Sequence, residues 1–183
     1  MSAILRYFLK KGYNVGGYDK TATPLTEQLI GEGALIHYEE SVDSIPECFK
    51  QKDTTLVVFT PAIPDDNRIL TYFRQNSFEI IKRAALLGKI TLQSEGICIA
   101  GSHGKTTTSS MVAHLLHSSP IGCNAFLGGI LRNYDSNLLL SETSPYSVIE
   151  ADEYDRSFHH LSPHIAVVTS TDPDHLDIYG NEE

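Results

Sequence analysis

The chain has 183 residues, of which 41% are hydrophobic and 20% charged, with a formal net charge of −9. That length suffices for one ordinary domain or two small ones. The negative charge argues against binding nucleic acid through a basic face, and no apolar run approaches the roughly 20 residues of a membrane-spanning helix. The N-terminal segment lacks the layout of a signal peptide, and the cysteines Cys48, Cys98 and Cys123 form no metal-binding pair. We therefore expect a reduced, cytoplasmic protein with no nucleic-acid or membrane partner.

In the first half of the chain, helical and strand patterns alternate. Residues 2–11 have an amphipathic helical pattern that stops at Gly12, and a strand pattern then runs to Asp19. The segments that follow predict, in order, a helix at 24–33, a strand at 34–39, a buried strand at 53–63, a helix at 65–76, a strand at 78–82 and a helical turn or two at 83–89. This alternation is typical of a parallel α/β sheet.

The pattern restarts near residue 93, where a buried strand at 97–100 leads into Gly-Ser-His-Gly-Lys-Thr at 101–106 and then into a helix. The predicted apolar face of that helix consists of Met111, Val112, Leu115 and Leu116. Two more buried strands are predicted at 146–151 and 164–171. We therefore predict two domains, 1–93 and 94–183.

The glycine-bearing turn at 101–106 is the clearest functional signal in the chain. A turn between a buried strand and a helix directs backbone N–H groups and the positive end of the helix dipole at one point, which favours phosphate. The strict pattern G-x-x-x-x-G-K-[ST] fails because its first glycine would fall on Ile99, but Gly104, Lys105 and Thr106 satisfy its second half. The alternative interpretation is a helix N-terminus with an incidental Gly-Lys pair.

For a nucleotide in this turn, we expect Lys105 to reach the outer phosphates and Thr106 to place its hydroxyl on a magnesium ion. The residues predicted to contact the phosphates of this nucleotide are Gly101, Ser102, His103, Gly104, Lys105, Thr106 and Thr107.

Glu150 stands where the next buried strand ends, and ligands gather at the carboxyl ends of strands in an open parallel sheet. Its carboxylate could hold a hard cation directly or through water, or it could belong to a solvated acidic loop. His175 and Asp174 follow the last strand, where a histidine could be either a ligand or a surface group. A zinc site is also open by residue type, although no recognised zinc spacing joins the four histidines concerned, which are His159, His160, His164 and His175.

Both ends of the sequence look cut. In a dinucleotide-type fold, an acidic residue ends the second strand about 20 residues after a glycine-rich turn. Asp19 fits that acidic position, so we expect the turn and its strand upstream of Met1. A mononucleotide-binding sheet would also normally continue beyond the last predicted strand. A sheet edge exposed by truncation would favour instability or self-association.

Three stretches together, AGSHGKTTTSSM, VIEADEYDRSFHHLSP and IAVVTSTDPDHLDIYG, resemble the Mur ligases of peptidoglycan synthesis. Upstream, MSAILRYFLKKGYNVGGYD is similar to the helix and second strand of that family, VVFTPAIPDDN to its Ser-Ser-Ala-Ile loop, and IIKRAALL to its Arg-Arg-Ala-Glu-Met-Leu segment. The resemblance covers nearly the whole chain and is nearest to the alanine-adding branch. It implies a partial Rossmann-like unit that binds a UDP-sugar, followed by a P-loop-type parallel α/β unit that binds ATP.

The reaction that the resemblance implies joins L-alanine to the carboxylate of UDP-N-acetylmuramate through an acyl phosphate, with ATP and Mg²⁺. The implied catalytic residues are Lys105, Glu150 and His175, and the implied metal ligands are Thr106, Glu150 and His175. The residues implied to contact the nucleotide sugar are Asp19, Thr60, Ala62, Ile63 and Arg83. The chain departs from the family pattern at Ser170, where relatives usually carry asparagine, and at Thr60 and Pro61, which replace two serines.

Other functions stay open at this point. A sister ligase that recycles murein tripeptide onto the same sugar nucleotide is the nearest, followed by a ligase of the folylpolyglutamate synthase type. The stretch DRSFHHLSP favours the alanine-adding branch over both. A nucleotide kinase or small NTPase offers no use for Asp19 or for a separate N-terminal unit. The chain could also be a catalytically inactive fragment that binds nucleotide.

Overall fold

The structure is a computed structural model that describes residues 1–152 and 154–172. The chain divides into two compact units, Met1–Arg83 and Ala84–Glu183. Each unit contains parallel strands together with helices, which confirms the predicted α/β class. We keep 1–93 and 94–183 as the proposed functional division, because the second sheet begins only at Glu95.

The first unit contains every helix and strand that the sequence predicts there, although the strands are shorter. The strand predicted as buried at 53–63 is only half-buried. Its elements are α1 (Ser2–Lys10), β1 (Gly16–Tyr18), α2 (Pro24–Gly31), β2 (Leu35–His37), β3 (Leu56–Phe59), α3 (Arg68–Gln75) and β4 (Glu79–Lys82). Two 3-10 turns, Val42–Ser44 and Glu47–Phe49, lie between β2 and β3. The strands form two separate parallel pairs, β1 with β2 and β3 with β4.

Both strand pairs of the first unit pack on one apolar core. Phe73 and Phe78 lie at its centre, with their ring centroids 4.9 Å apart in an edge-to-face arrangement. Tyr18 of β1, Val57 of β3 and Ile80 of β4 pack against this cluster. The core therefore joins the two strand pairs, which share no backbone ladder in the described residues.

The second unit contains one five-stranded sheet. Its elements are α4 (Arg83–Thr91, beginning at the last residue of the first unit), β5 (Glu95–Ala100), α5 (Lys105–His117), β6 (Asn124–Leu131), β7 (Ser136–Leu139), β8 (Tyr146–Glu150), a 3-10 helix (Tyr154–His160) and β9 (Pro163–Val168). The strand order is β7-β6-β8-β5-β9, with β7 antiparallel to β6 and the other pairs parallel. The sequence predicted β5, β8 and β9 but missed β6 and β7.

The central strands β5 and β8 of the second unit are covered on both faces. The strand that the sequence predicts as buried at 164–171 is instead a mostly exposed edge strand, β9, because among the described strands it pairs only with β5. Ile97 and Ile99 of β5 pack with Ala113 of α5, whereas Cys98 between them packs with Leu87 of α4. Successive residues of a strand point to opposite faces, so a strand covered on both sides needs a continuous apolar run. This explains why the β5 sequence lacks the alternation of a half-exposed strand.

The predicted apolar face of α5 is wrong at two of its four positions. Met111 and Leu115 are 61% and 67% exposed. The other two predicted residues pack partly against the core, but the fully buried residues of the helix are Ser109 and Ala113. Small side chains at the contact let the helix lie close to the sheet, which periodicity alone does not reveal. None of the helices in the described ranges is long and apolar enough to cross a bilayer.

The three cysteines are free, and two of them are buried in the second unit. Burial raises the pKa of the Cys98 thiol and raises that of Cys123 to about 11. Both thiols therefore stay protonated and unreactive near neutral pH. They act as small apolar core residues, in line with the absence of a cysteine metal pair in the sequence.

An ion pair connects the buried Arg6 of α1 to the partly exposed Glu32, which directly follows α2. Arg6 of α1 is 2% exposed, and its Nε donates to both carboxylate oxygens of Glu32 at 3.0 and 2.8 Å, while its Nη2 donates to one of them at 2.8 Å. A guanidinium out of water needs such a partner, because an uncompensated buried charge is costly.

We predict that Glu32→Ala lowers the free energy of unfolding by about 3 kcal/mol, since it leaves the Arg6 charge buried without this carboxylate. Asp65→Ala is the matched control: it removes a carboxylate 3.1 Å from Arg74, but Asp65 is 94% exposed, so the loss should stay below about 1 kcal/mol. Urea unfolding followed by circular dichroism measures both. Equal losses of unfolding free energy in the two variants would show that Glu32 does not stabilise the buried Arg6 charge.

Candidate functional site

Residues 101–104 form a tight turn between β5 and α5 that depends on glycine. Gly101 and Gly104 have φ angles of 125° and 80°, in a region that other residues rarely adopt. A Cβ added to Gly101 would also overlap the hydroxyl of Thr169 and lie 2.8 Å from the backbone nitrogen of Ser170. The backbone of the turn can therefore approach its neighbours only because it lacks side chains there.

The segment after β9 holds this turn in place. Thr169 donates its N–H to the carbonyl of Ala100 at 2.9 Å, and its hydroxyl contacts the carbonyls of Ala100 and His103. Ser170 accepts twice: its carbonyl from the N–H of Ser102 at 3.1 Å and its hydroxyl from the N–H of His103 at 2.8 Å. A phosphate that binds these amides would have to replace the contacts with Ser170.

Lys105, the first residue of α5, lies against the same turn. Its ammonium donates to the carbonyl of Gly101 at 2.6 Å and lies 3.5 Å from that of Ser102. The cation is thus held next to the N-terminus of a 13-residue helix, where the helix dipole also favours a negative charge. Backbone amides, a helix N-terminus and an ammonium in one place are the elements of a phosphate site.

Glu150 is the last residue of β8, and its carboxylate lies beside the start of α5. The Thr106 hydroxyl donates to its Oε1 at 2.8 Å, and the Gly128 N–H donates to its Oε2 at 2.9 Å. In the parallel pairing of β5 with β8, Ile99 lies opposite Glu150, so the two strands end side by side. The structure therefore brings together two side chains that the sequence predicts as metal ligands.

The Thr106 and Glu150 oxygens suit a magnesium ion. Mg²⁺ prefers oxygen ligands such as carboxylates and hydroxyls. The Thr106 hydroxyl and the Glu150 carboxylate are two such donors, and their contact shows that both can reach one ion. The residues present therefore fit the ion.

The structure does not bring the predicted histidine ligands together as a metal site in the part of the chain that it describes. His175 lies outside the described residues, as does Asp174. Among the described residues, no group of three or more histidine, cysteine or acidic side chains could hold a metal ion. This result excludes a zinc site formed by His159, His160 and His164 alone.

The residues predicted to contact a nucleotide sugar all lie in the first unit. Asp19 is exposed directly after β1, Thr60 directly follows β3, and Arg83 directly follows β4. Because β3 and β4 are paired and parallel, Thr60 and Arg83 lie at the same edge of that sheet. Ala62 is exposed, and Ile63 donates its N–H to the Thr60 carbonyl at 3.1 Å. Their role in binding stays a prediction.

Gly128 and Thr169 belong to this site, although the sequence reading did not identify them. Gly128 lies in β6, a strand that the sequence reading missed, and Thr169 follows β9. A signal was present in both cases, since paired glycines interrupt an apolar run at 128–129 and Thr169 lies near the end of the strand predicted at 164–171. Neither signal identifies a partner, because the partners are far away in the sequence.

Two family models match the chain. The model described as "Mur ligase family, catalytic domain" matches residues 1–95. The model described as "Mur ligase middle domain" matches residues 99–183. Together they account for nearly the whole chain.

Curated relatives and solved structures agree with these matches. The UDP-N-acetylmuramate–L-alanine ligase of Parabacteroides distasonis is 66% identical over 183 residues, which is 100% of this chain and 40% of the relative. The crystal structure of the UDP-N-acetylmuramate–alanine ligase of Thermotoga maritima matches 99% of the chain and 41% of its own at a TM-score of 0.88 and 32% identity. The UDP-N-acetylmuramate:L-alanyl-γ-D-glutamyl-meso-diaminopimelate ligase of Neisseria meningitides matches 99% of the chain and 60% of its own at a TM-score of 0.88 and 25% identity. The chain spans about 40% of the length of the curated relatives it matches.

We predict that Thr169→Val loosens the turn at 101–104, because valine keeps the shape of threonine but loses the hydroxyl that contacts Ala100 and His103. The expected loss in unfolding free energy is about 1–2 kcal/mol, with faster hydrogen exchange at the amides of residues 102 and 103. Thr54→Val is the control, since the Thr54 hydroxyl makes one long bond, 3.4 Å, in an exposed loop. Unchanged exchange in the turn of Thr169→Val would show that the hydroxyl does not hold it.

Proposed function

The chain belongs to the Mur ligase family, and from that premise we propose that it forms the nucleotide-sugar and ATP sites of a UDP-N-acetylmuramate–L-alanine ligase. The observation that carries this proposal is the contact between Thr106 and Glu150, 2.8 Å, beside the turn that holds Lys105. The 66% identity to a relative named for this reaction supports the choice of substrate. Because the chain spans 40% of that relative, we propose the activity for the protein at the full length of its relatives.

The first chemical problem is to bring two anions together. A carboxylate becomes a good acceptor for an amine only after its oxygen has attacked the γ-phosphorus of ATP. The bond from that phosphorus to the bridging oxygen breaks, ADP leaves with the electron pair, and an acyl phosphate forms. The chain carries a net charge of −9, so local positive groups must hold the triphosphate against a repulsive field. Lys105 supplies one such charge, and the N-terminus of α5 supplies a fixed dipole. The amides of Ser102 and His103 become available to a phosphate when it replaces their contacts with Ser170.

We propose that Thr106 and Glu150 hold a magnesium ion beside these groups. When bound, the ion supplies positive charge that offsets the charge on the phosphoryl oxygens. Oε1 of Glu150 faces Thr106, while its Oε2 accepts from the Gly128 N–H. For a second metal we propose His175, as the family resemblance implies.

In the second step, the amino group of L-alanine attacks the acyl carbon. The C–N bond forms as the C–O bond to the phosphoryl group breaks, and inorganic phosphate leaves with the electron pair. The amine gives up a proton as the amide forms. Phosphate release that depends on both the sugar nucleotide and the amino acid therefore reports the complete reaction.

On the sugar side, we propose that UDP-N-acetylmuramate contacts Asp19, Thr60, Ala62, Ile63 and Arg83. The supporting observation is that Asp19, Thr60 and Arg83 each directly follow a strand end, where ligands of parallel sheets bind. We place the reaction in the cytoplasm, where ATP is supplied and where free thiols such as those of this chain persist.

Tripeptide recycling is the second candidate function. The solved structure named for L-alanyl-γ-D-glutamyl-meso-diaminopimelate matches the chain with a TM-score of 0.88, equal to that of the alanine ligase. The two functions separate in one assay, in which phosphate release is measured with UDP-N-acetylmuramate and either L-alanine or that tripeptide. Release with L-alanine alone supports the first proposal, release with the tripeptide alone supports the second, and release with neither rejects both.

We predict that Lys105→Ala lowers kcat about 100-fold or more, since one fixed contact with a developing charge is worth roughly 3 kcal/mol. The measurement is L-alanine-dependent phosphate release in the protein at its relatives' full length. Lys89→Ala, which removes an exposed lysine of α4, is the control and should keep wild-type activity. A folded Lys105→Ala variant with more than a tenth of wild-type turnover would refute the role.

We predict that Asp19→Ala raises KM for UDP-N-acetylmuramate about tenfold and leaves KM for ATP unchanged, because a charge-assisted hydrogen bond is worth about 1.5 kcal/mol or more. Asp53→Ala serves as the control, since Asp53 is also exposed in the first unit but lies in a loop before β3. Equal effects on the two KM values would argue against a sugar-side role for Asp19.

A further inference from the structure

We propose that Gly128 is a positioning residue for Glu150, and that both its N–H and its lack of a side chain are required to hold the carboxylate toward Thr106. This inference rests on the proposed function, in which Thr106 and Glu150 hold a divalent ion. It assigns a role to a residue of β6, a strand that carries none of the residues of the phosphate turn.

The first observation is that both oxygens of Glu150 are bonded, each by a different element. Oε1 accepts from the Thr106 hydroxyl of α5 at 2.8 Å, and Oε2 accepts from the Gly128 N–H of β6 at 2.9 Å. Two bonds to opposite oxygens fix the position and the plane of a carboxylate. A hydrogen bond to an ionised acceptor is also about twice as strong as a neutral one.

The second observation is the way in which β6 presents this N–H. The parallel ladder between β6 and β8 ends with Phe126 opposite Ile149. β6 continues to Leu131, whereas β8 ends at Glu150. Beyond the ladder, the Gly128 N–H therefore donates to the side chain of Glu150 in place of a backbone carbonyl.

The third observation is steric. A Cβ added to Gly128 would lie 2.8 Å from Oε2 of Glu150 and 3.0 Å from both its Cδ and its Oε1. Because the short distances are to all three atoms of the carboxylate, any side chain at this position must displace it. The next residue makes similar room for the other ligand, since a Cβ on Gly129 would lie 3.0 Å from Cγ2 of Thr106.

The test measures the affinity for Mn²⁺ in the presence of ADP, by the electron paramagnetic resonance signal of the free ion, in the protein at its relatives' full length. We expect Gly128→Ala to weaken binding about tenfold, because residues that orient a metal ligand typically contribute 10–100-fold to affinity. Gly17→Ala is the matched control, a strand glycine at which a Cβ would meet nothing within 4 Å. It should bind Mn²⁺ as the wild type does.

A second substitution separates positioning from general damage to the fold. Glu150→Asp shortens the side chain by one methylene and withdraws the carboxylate from the added methyl group. Gly128→Ala should therefore weaken Mn²⁺ binding tenfold when Glu150 is present but less than about threefold when Glu150→Asp is present. An equal loss in both backgrounds would overturn the positioning role.

A third measurement follows the amide resonance of Gly128 itself, so it does not require the Gly128→Ala variant to fold. With ¹⁵N-labelled glycine, the amide resonance of Gly128 should move upfield in Glu150→Gln, because its proton loses a charged acceptor, while that of Gly17 should stay in place. An unmoved Gly128 resonance would refute the contact.

The failure of this inference can be distinguished from failure of the proposed function. If the wild type binds no Mn²⁺ with ADP, or if Glu150→Ala binds it as the wild type does, the proposed metal site is wrong, and this inference fails with it. If Glu150→Ala weakens binding but Gly128→Ala matches Gly17→Ala, the metal site stands and only the role of Gly128 is rejected.

Discussion

The candidate site depends on the parallel pairing of β5 with β8 on one side and with β9 on the other. The register places Ile99 opposite Glu150 and Ala100 opposite Val168, so three strands end at one edge of the sheet. At that edge, β5 is followed by the turn at 101–104, β8 by the segment after Glu150, and β9 by the segment that begins with Thr169. Without this pairing, the lysine, the carboxylate and the residues that hold the turn would have no reason to meet.

The turn at 101–104 presents positive groups to an anion, although the chain as a whole is negatively charged. The net charge of −9 repels anions at long range, and salt screens that repulsion beyond roughly 10 Å. At the turn, an anion instead meets Lys105, the amides and the helix N-terminus. Glu150 accepts hydrogen bonds from Thr106 and Gly128, and these two contacts hold its carboxylate in one position. A divalent ion bound near that carboxylate and a triphosphate would offset the repulsion between the two negative groups.

The two units contribute different parts of the proposed chemistry, and each is stabilised by its own hydrophobic core. In the first unit, two short strand pairs are joined through an aromatic core around Phe73 and Phe78. The ion pair of Arg6 and Glu32 separately connects α1 to the residue that follows α2. In the second, the central strands β5 and β8 are buried on both faces of a five-stranded sheet. The proposed ATP site lies on that sheet, where rigid strand ends can hold catalytic groups at fixed separations.

The sequence by itself determined the α/β class, the order of most elements and the turn with Lys105 and Thr106, because periodicity and glycine-rich turns act between residues close in the chain. Only the tertiary structure decided which distant groups meet: Thr106 and Glu150 are 44 positions apart, and Gly128 and Glu150 are 22 apart. It also decided that α5 buries small residues and exposes Met111, because the spacing between helix and sheet depends on both surfaces. Strand order sets these contacts, and strand order arises from the packing of the whole unit, which no local pattern encodes.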